Sequence, residues 1–415
     1  MTKKTDTKDD DDDDKRNVNI ENFMSAAMLT PLVHPVRHRG PADAGVIWGI
    51  PTNLIGLSGL GKSDRVKDIG AAIGLPVYSV YAATKQPTDF TGLAVPTPNG
   101  IIIECILPAA RHCIEHGRGL IFFDEASCTS PRTQAALLSV VNERQVGDHL
   151  LPPKTRMVLA MNPAEYAAAG HDLEPPMANR LAHVWCRAPT RDEWCYWLQG
   201  GKPKVINVDR GEAMVIQNWD KHWPTLVGMA VGFMRSGIDK DLHDQPKPSE
   251  ELSGAAWPSP RTTWMALSGI ATCRCLNLPV QTEFDILDSL VGPGVAAKWI
   301  EWMRHADLPD PLTMLTKGWT PDRHRLDRTY AAMTAMTQYL KTRQRPEAVQ
   351  FAPAAWTIIK DSYKAGLGDI SASSAQMLVQ TKLGIHGADL PETLKVLAAD
   401  VIYLLTEGGY VSQVT

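Results

Sequence analysis

The stretch Gly56-Leu-Ser-Gly-Leu-Gly-Lys62-Ser63 constrains this chain more than any other, because it fits the pattern G-x-x-x-x-G-K-[ST] in full. It follows the apolar run Asn53 to Ile55 and precedes a segment of helical spacing, Lys62 to Ile73, which is the setting the pattern requires. Glycines let successive backbone N–H groups turn inward around a phosphate chain, the Lys62 ammonium reaches the outer phosphates, and the Ser63 hydroxyl ligates magnesium. Gly56, Ser58, Gly59, Leu60, Gly61, Lys62, Ser63 and Asp64 are therefore the expected nucleotide-binding residues, with ATP and Mg2+ as the expected ligands.

Such a loop needs a sheet to stand on. Short apolar runs at Asn53 to Leu57, Val77 to Val80, Leu120 to Phe123 and Met157 to Ala160 read as buried parallel strands. Between them, Lys62 to Ile73, Leu107 to His116 and Thr133 to Glu143 have helical spacing, so the fold class is α/β, a parallel sheet with flanking helices. Beyond Pro189 the strand signal fades. Arg191 to Leu198, Trp223 to Arg235, Arg261 to Cys275 and Glu283 to Leu290 read as helices, with a mobile polar loop from Lys240 to Ser253. After Val291-Gly-Pro-Gly294 come further helical runs at Ala296 to His305, Asp327 to Gln344, Ala354 to Lys364 and Pro391 to Leu405. The expected division is an acidic, disordered arm or tag at 1–22, a nucleotide-binding domain at 23–189, a helical domain at 190–290 and a C-terminal helical region at 291–415. The arm carries six consecutive aspartates, Asp9 to Asp14, and has almost nothing to bury.

Two further strands end in candidate chemistry. Leu120-Ile-Phe-Phe-Asp124-Glu125 delivers two acids to the sheet edge, where Asp124 would hold magnesium and Glu125 would orient and polarise the attacking water. Arg156-Met-Val-Leu-Ala-Met-Asn162-Pro163 ends in an amide placed to sense the γ-phosphate.

Composition narrows the classes. A formal charge of -4 makes long-range attraction to nucleic acid no default expectation, leaving room for a local basic pore, and no run approaches the roughly 18 apolar residues of a membrane span. The cytosol is the expected compartment. Seven scattered cysteines lack the second pair a zinc site needs and read as reduced, mostly buried thiols. His34 and His38 have no acid or cysteine close by and read as solvated or nucleotide-adjacent rather than as metal ligands. The tryptophans, among them Trp194, Trp197, Trp223, Trp299 and Trp302, read as helix packing.

Taken in order, the phosphate loop, Phe122-Phe-Asp124-Glu125, Ser130-Pro-Arg-Thr-Gln134, Asn142-Glu-Arg-Gln-Val146, Met161-Asn-Pro163, Ala178-Asn-Arg180 and Ser259-Pro-Arg261 resemble the MoxR branch of AAA+ ATPases over roughly residues 50–290. The resemblance implies that 190–290 is a lid, that Arg180 is a finger acting on nucleotide held by a neighbouring subunit, and that Arg261 is a second sensor reaching the phosphates from the lid. It also implies a ring, commonly a hexamer, that remodels a protein partner bearing a von Willebrand A domain. Residues Asp89 to Ile103 resemble the family's helix-2 insert, and Gln145 to Pro153 its pre-sensor hairpin, elements that line the ring's opening. Plain surface hairpins fit these two segments equally. The chain departs from the family in Leu57-Ser58 within the loop and in Ser127-Cys128 after the acids, where Asn-Arg is common; Arg132 is a weak substitute for that arginine. A nucleic-acid motor and a slow nucleotide-gated scaffold are the alternative readings.

Overall fold

The computed structural model describes residues 18–32, 40–43, 45–99, 102–163, 166, 171–236, 239–246, 254–385 and 389–411. His34, His38 and the aspartate run lie outside the described residues, as does the end of the expected loop, 247–253. The chain divides into two compact units, Met1–Ile216 with His243–Ala296, and Gln217–Leu242 with Ala297–Thr415.

The first unit opens with α1 (Ile20–Leu29), the antiparallel pair β1 (Pro31–Leu32) and β2 (Ile47–Trp48), then β3 (Thr52–Ile55), α2 (Lys62–Ile73) and β4 (Val77–Tyr81). There follow α3 (Pro87–Thr91), the hairpin β5 (Leu93–Pro96) and β6 (Ile102–Cys105), α4 (Pro108–His116), β7 (Arg118–Asp124) and α5 (Pro131–Asn142). The hairpin β8 (Gln145–Val146) and β9 (His149–Leu150) leads to β10 (Lys154–Met161), α6 (Pro175–Ala178), β11 (Ala182–Trp185) and α7 (Arg191–Leu198). Helix α8 (Val208–Ser236) contributes residues to both units, and α9 (Asp239–Leu242) falls in the second. Helices α10 (Pro260–Cys275) and α11 (Val280–Val291) return to the first.

The sheet is parallel throughout, in the order β11-β3-β10-β7-β4. Strands β3, β7 and β10 are almost fully buried along their length, as strands covered on both faces must be. The chain leaves β3 for the far edge at β4 and returns inward, so the strands beside β3 both come late in sequence. Ligands of open α/β sheets bind at the carboxyl ends of strands where the order reverses in this way. Helix α5 starts where Ser130 accepts the Thr133 N–H and Pro131 fills the first turn, which sets the helix directly after the two acids.

Beside the sheet lies a charged cluster that the sequence did not announce. Arg156, on β10, is 1% exposed and donates Nη2 to Glu212 Oε1 at 2.5 Å, Nε to the Met28 carbonyl at 3.0 Å and Nη1 to the Lys154 carbonyl at 2.7 Å. Lys154 Nζ meets the other Glu212 oxygen at 2.6 Å. The bonds from Arg156 to Met28 and Glu212, with the Lys154–Glu212 pair, reach other parts of the unit and pin α1 and the start of α8 to β10.

Elsewhere in the first unit, burial pushes the Asp285 carboxyl up to about 6, against a Gln281 amide that donates to Oδ1 at 2.9 Å. A carboxyl raised in the folded state favours folding most below its unfolded value and loses that contribution as pH rises through about 6. Asp285→Asn, which keeps the Gln281 acceptor, is thus expected to raise the unfolding midpoint at pH 7 and leave it unchanged near pH 3. Urea titrations at the two pH values check this.

The second unit is helical. It joins the later part of α8 and α9 to α12 (Pro293–His305), whose first residues fall in the first unit, and to α13 (Pro311–Lys317), α14 (Leu326–Thr342), α15 (Arg345–Lys364), α16 (Gly368–Gln380) and α17 (Glu392–Glu407). Its core gathers Met333, Met336, Trp356, Ile359, Leu378 and Leu405, with the Trp356 indole donating to the Leu383 carbonyl at 2.8 Å. Pro224 sits inside α8 and cannot donate to the carbonyl of Asp220; the Arg343 guanidinium does so instead, at 2.8 Å.

Several expectations change. Residue 22 lies inside α1, so the acidic arm ends earlier than expected. Strand β11 was not foreseen, because Ala-His-Val-Trp is too short and mixed to declare itself. Helices α10 and α11 cluster with the sheet, and 217–242 with the C-terminal helices. No helix is long and apolar enough to cross a membrane among the described residues.

Candidate active site

The loop after β3 is anchored at its first residue. Gly56 N donates to the Met161 carbonyl at 3.2 Å, and a Cβ at Gly56 would stand 3.0 Å from the Cys186 carbonyl oxygen and 3.2 Å from its Cβ. Gly59 and Gly61 adopt φ of 84° and 72°, the left-handed region where a side chain is strained. Lys62 then turns back over the loop, donating to the carbonyls of Gly56 at 2.6 Å and Leu57 at 2.9 Å and to Asn162 Oδ1 at 2.9 Å. Burial lowers the Lys62 pKa, opposed by the nearby Cys186, Glu125 and Asp124. The Cys186 thiol is itself pushed up to about 11 by burial and stays neutral, so the two carboxylates are the charges Lys62 feels.

Those carboxylates stand where β7 ends. Ser63 Oγ donates to Asp124 Oδ2 at 2.7 Å, and the Glu125 backbone N–H to Asp124 Oδ1 at 3.1 Å. Glu125 takes a left-handed φ of 56°, unusual for a residue with a side chain and a cost of roughly 1–3 kcal/mol. Because β10 lies between β3 and β7, Asn162 at its end stands between the phosphate loop and the acids. Its Nδ2 donates to Glu125 Oε2 at 3.1 Å while its Oδ1 accepts from Lys62, so the two contacts fix the orientation of the amide. Asn162 is 5% exposed, and the Cys128 thiol also points at Glu125 Oε2, at 3.8 Å.

The structure thus brings Lys62, Ser63, Asp124, Glu125 and Asn162 into one network. It does not bring Arg180 or Arg261 to it. Arg180 donates to Asn142 Oδ1 at 2.6 Å and to the Pro176 carbonyl, and its pKa is lowered by burial and then by the nearby charge of Arg261. Arg261 is exposed in the first turn of α10 and has no hydrogen-bond or ion-pair partner among the described residues. The two segments are joined: Ser259 Oγ donates to Asn179 Oδ1 at 2.9 Å, and Asn179 Nδ2 to the Trp257 carbonyl at 3.4 Å. The sequence reading put Arg261 at its own subunit's phosphates; in the structure its charge lies near Arg180.

A cavity of about 800 Å³ opens beside the loop, lined by Gly59, Gly61 and Arg65 on one side and by Arg187, Tyr196 and Lys202 on the other. Its volume suits a nucleotide-sized ligand. Arg187 is held by a two-pronged pair to Glu193, both bonds 2.7 Å, and this hydrogen bonding draws the Glu193 carboxyl down to about 2. Sequence reasoning missed this wall, since Trp194 and Trp197 were read as packing residues. Both line the cavity and are half exposed, at 52% and 49%, whereas Trp219, Trp299 and Trp356 are buried.

Both hairpins form, and a single side chain joins them. Glu104 of β6 accepts from the Asp148 N–H at 3.3 Å and pairs with His149 Nε2 at 3.4 Å, while Leu93, Ile102 and Leu150 stand exposed.

No family model matches the sequence, nor does any curated protein. Among solved structures the chain is similar to a candidate ATPase from Cytophaga hutchinsonii, with a TM-score of 0.42 and 12% identity over 66% of this chain and 80% of that one. So slight a likeness carries no function, and the side chains must.

They fit the ligands the loop implies. Ser63 and Asp124 offer a hydroxyl and a carboxylate 2.7 Å apart, an all-oxygen pair suited to a hard cation such as Mg2+. Lys62 and the left-handed loop supply the positive charge and turned backbone that phosphates require.

Proposed function

We propose that this chain is an ATPase of the MoxR-like AAA+ kind, working as a ring in which ATP hydrolysis drives the remodelling of a protein partner. The observation that carries the ATPase reading is the continuous path from Lys62 through Asn162 to Glu125, beside the Ser63–Asp124 pair. Lys62 would take the β and γ phosphates, Ser63 and Asp124 would hold Mg2+, Glu125 would orient water, and Asn162 would sense the γ-phosphate. Bound Mg2+ would neutralise charge that develops on the phosphate oxygens.

The ring reading draws support from Arg180 and Arg261. Their segments are tied to each other rather than to the chain's own phosphate network, which suits a pair offered to nucleotide on a neighbouring copy. A hexamer and a von Willebrand A partner rest on the sequence resemblance alone. Exposed Leu93, Ile102 and Leu150 on the joined hairpins suit a protein substrate better than a nucleic acid, which would call for basic side chains there.

The test is phosphate release and nucleotide binding by wild type and Lys62→Ala. Both are expected to fall to background in the variant. Equal phosphate release by the two proteins would sink the enzymatic reading.

A further inference from the structure

At the other end of β7 from the acids, helix α4 carries His112-Cys-Ile-Glu115-His116 in its last turns. Residues four apart on a helix share a face, and so do those three apart, which stacks the two imidazoles and the carboxylate together. One ligand atom from each lies within 4.8 Å of the others, and His112 Nδ1 stands 3.7 Å from Glu115 Oε2. All three side chains are exposed, so small rotations of their outer torsions bring the donors to the closer spacing a metal demands.

Two features prepare the imidazoles. His116 donates Nδ1–H to the His112 carbonyl at 2.8 Å, which fixes its tautomer and leaves the Nε2 lone pair turned away from the helix. A backbone carbonyl holding the second ring nitrogen is the usual support of a metal-binding histidine. The His112 ring stacks on Tyr78 of β4, with centroids 5.0 Å apart and planes 13° apart, which restrains its rotation. The helix C-terminus adds a partial negative charge on the side where a cation would sit.

We propose that His112, Glu115 and His116 form a surface site for a divalent transition metal of the zinc class. The protein supplies two nitrogens and one oxygen, and water or a ligand from another molecule completes the coordination. The donor set favours zinc over magnesium, because imidazole suits borderline metals and magnesium prefers oxygen alone.

The test titrates the chelator-treated full chain with Zn2+ by calorimetry, without nucleotide, for wild type, His112→Ala and His116→Ala. One equivalent of Zn2+ is expected to bind wild type, with affinity falling about tenfold or more in each variant. Co2+ in place of Zn2+ is expected to give weak visible bands and no sulfur charge-transfer band, which separates this site from the cysteines. Phosphate release is expected to be the same in all three proteins, so the result stands apart from the ATPase reading. Equal affinity in the three proteins, an intense sulfur-to-cobalt band, or no Zn2+ binding to wild type would overturn the site.

Discussion

Glu125→Gln is expected to bind ATP about as tightly as wild type while releasing phosphate about 10² to 10⁴ times more slowly. Glutamine keeps the length of the side chain and an oxygen that can accept the Asn162 Nδ2–H, now 3.1 Å from Glu125 Oε2, so Asn162 and Lys62 should hold their places. What it lacks is the charge that polarises water. Retained binding with lost turnover would separate Glu125 from Lys62, whose loss removes both. Fluorescent-nucleotide binding and single-turnover phosphate release on the same preparation decide it. Wild-type turnover in the variant would remove Glu125 from the chemistry and leave its left-handed φ of 56° without a purpose.

The largest loss of stability is expected at a residue outside the site. Glu212→Ala leaves the buried Arg156 guanidinium, 1% exposed, without its counter-charge, and strips Lys154 of its partner as well. Breaking a buried pair from one side costs about 3–5 kcal/mol, most of it the penalty of an uncompensated charge. Chemical denaturation followed by circular dichroism measures the loss. Arg156→Met combined with Glu212→Leu is expected to recover most of it, since an apolar pair of similar bulk carries no desolvation cost. A double variant as unstable as Glu212→Ala alone would show that the backbone bonds from Arg156 to Met28 and Lys154 matter more than the charge.

These two sites differ in how plainly the sequence declared them. The phosphate loop, the acids after β7 and the amide after β10 are local patterns: each is an apolar run that stops at a polar residue, and a parallel sheet lines up such ends. Helix α2 was legible to the residue because Gly61 and Gly74, both left-handed, bound it on either side. The Arg156–Glu212 pair was not legible. Its partners lie 56 residues apart, and an arginine inside an apolar run reads as a strand end until a carboxylate from elsewhere is seen to meet it. The same applies to α8, read only from Trp223 because Pro224 argues against an uninterrupted helix. Only the distant Arg343 restores the missing donor at Asp220. Arg180 and Arg261 were each picked out by motif, yet their nearness depends on the Ser259–Asn179 bond, which no spacing along the chain could reveal.

Glu104 has a mechanical consequence. One carboxylate is shared by two hairpins, reaching Asp148 and His149 on the second from its own strand in the first. The strands that carry exposed Ile102 and exposed Leu150 are thus tied to each other through one carboxylate. The second hairpin runs within a few residues into β10, the strand that ends at Asn162. A displacement of either hairpin would therefore load, through Glu104 and β10, the strand that carries the amide between Lys62 and Glu125.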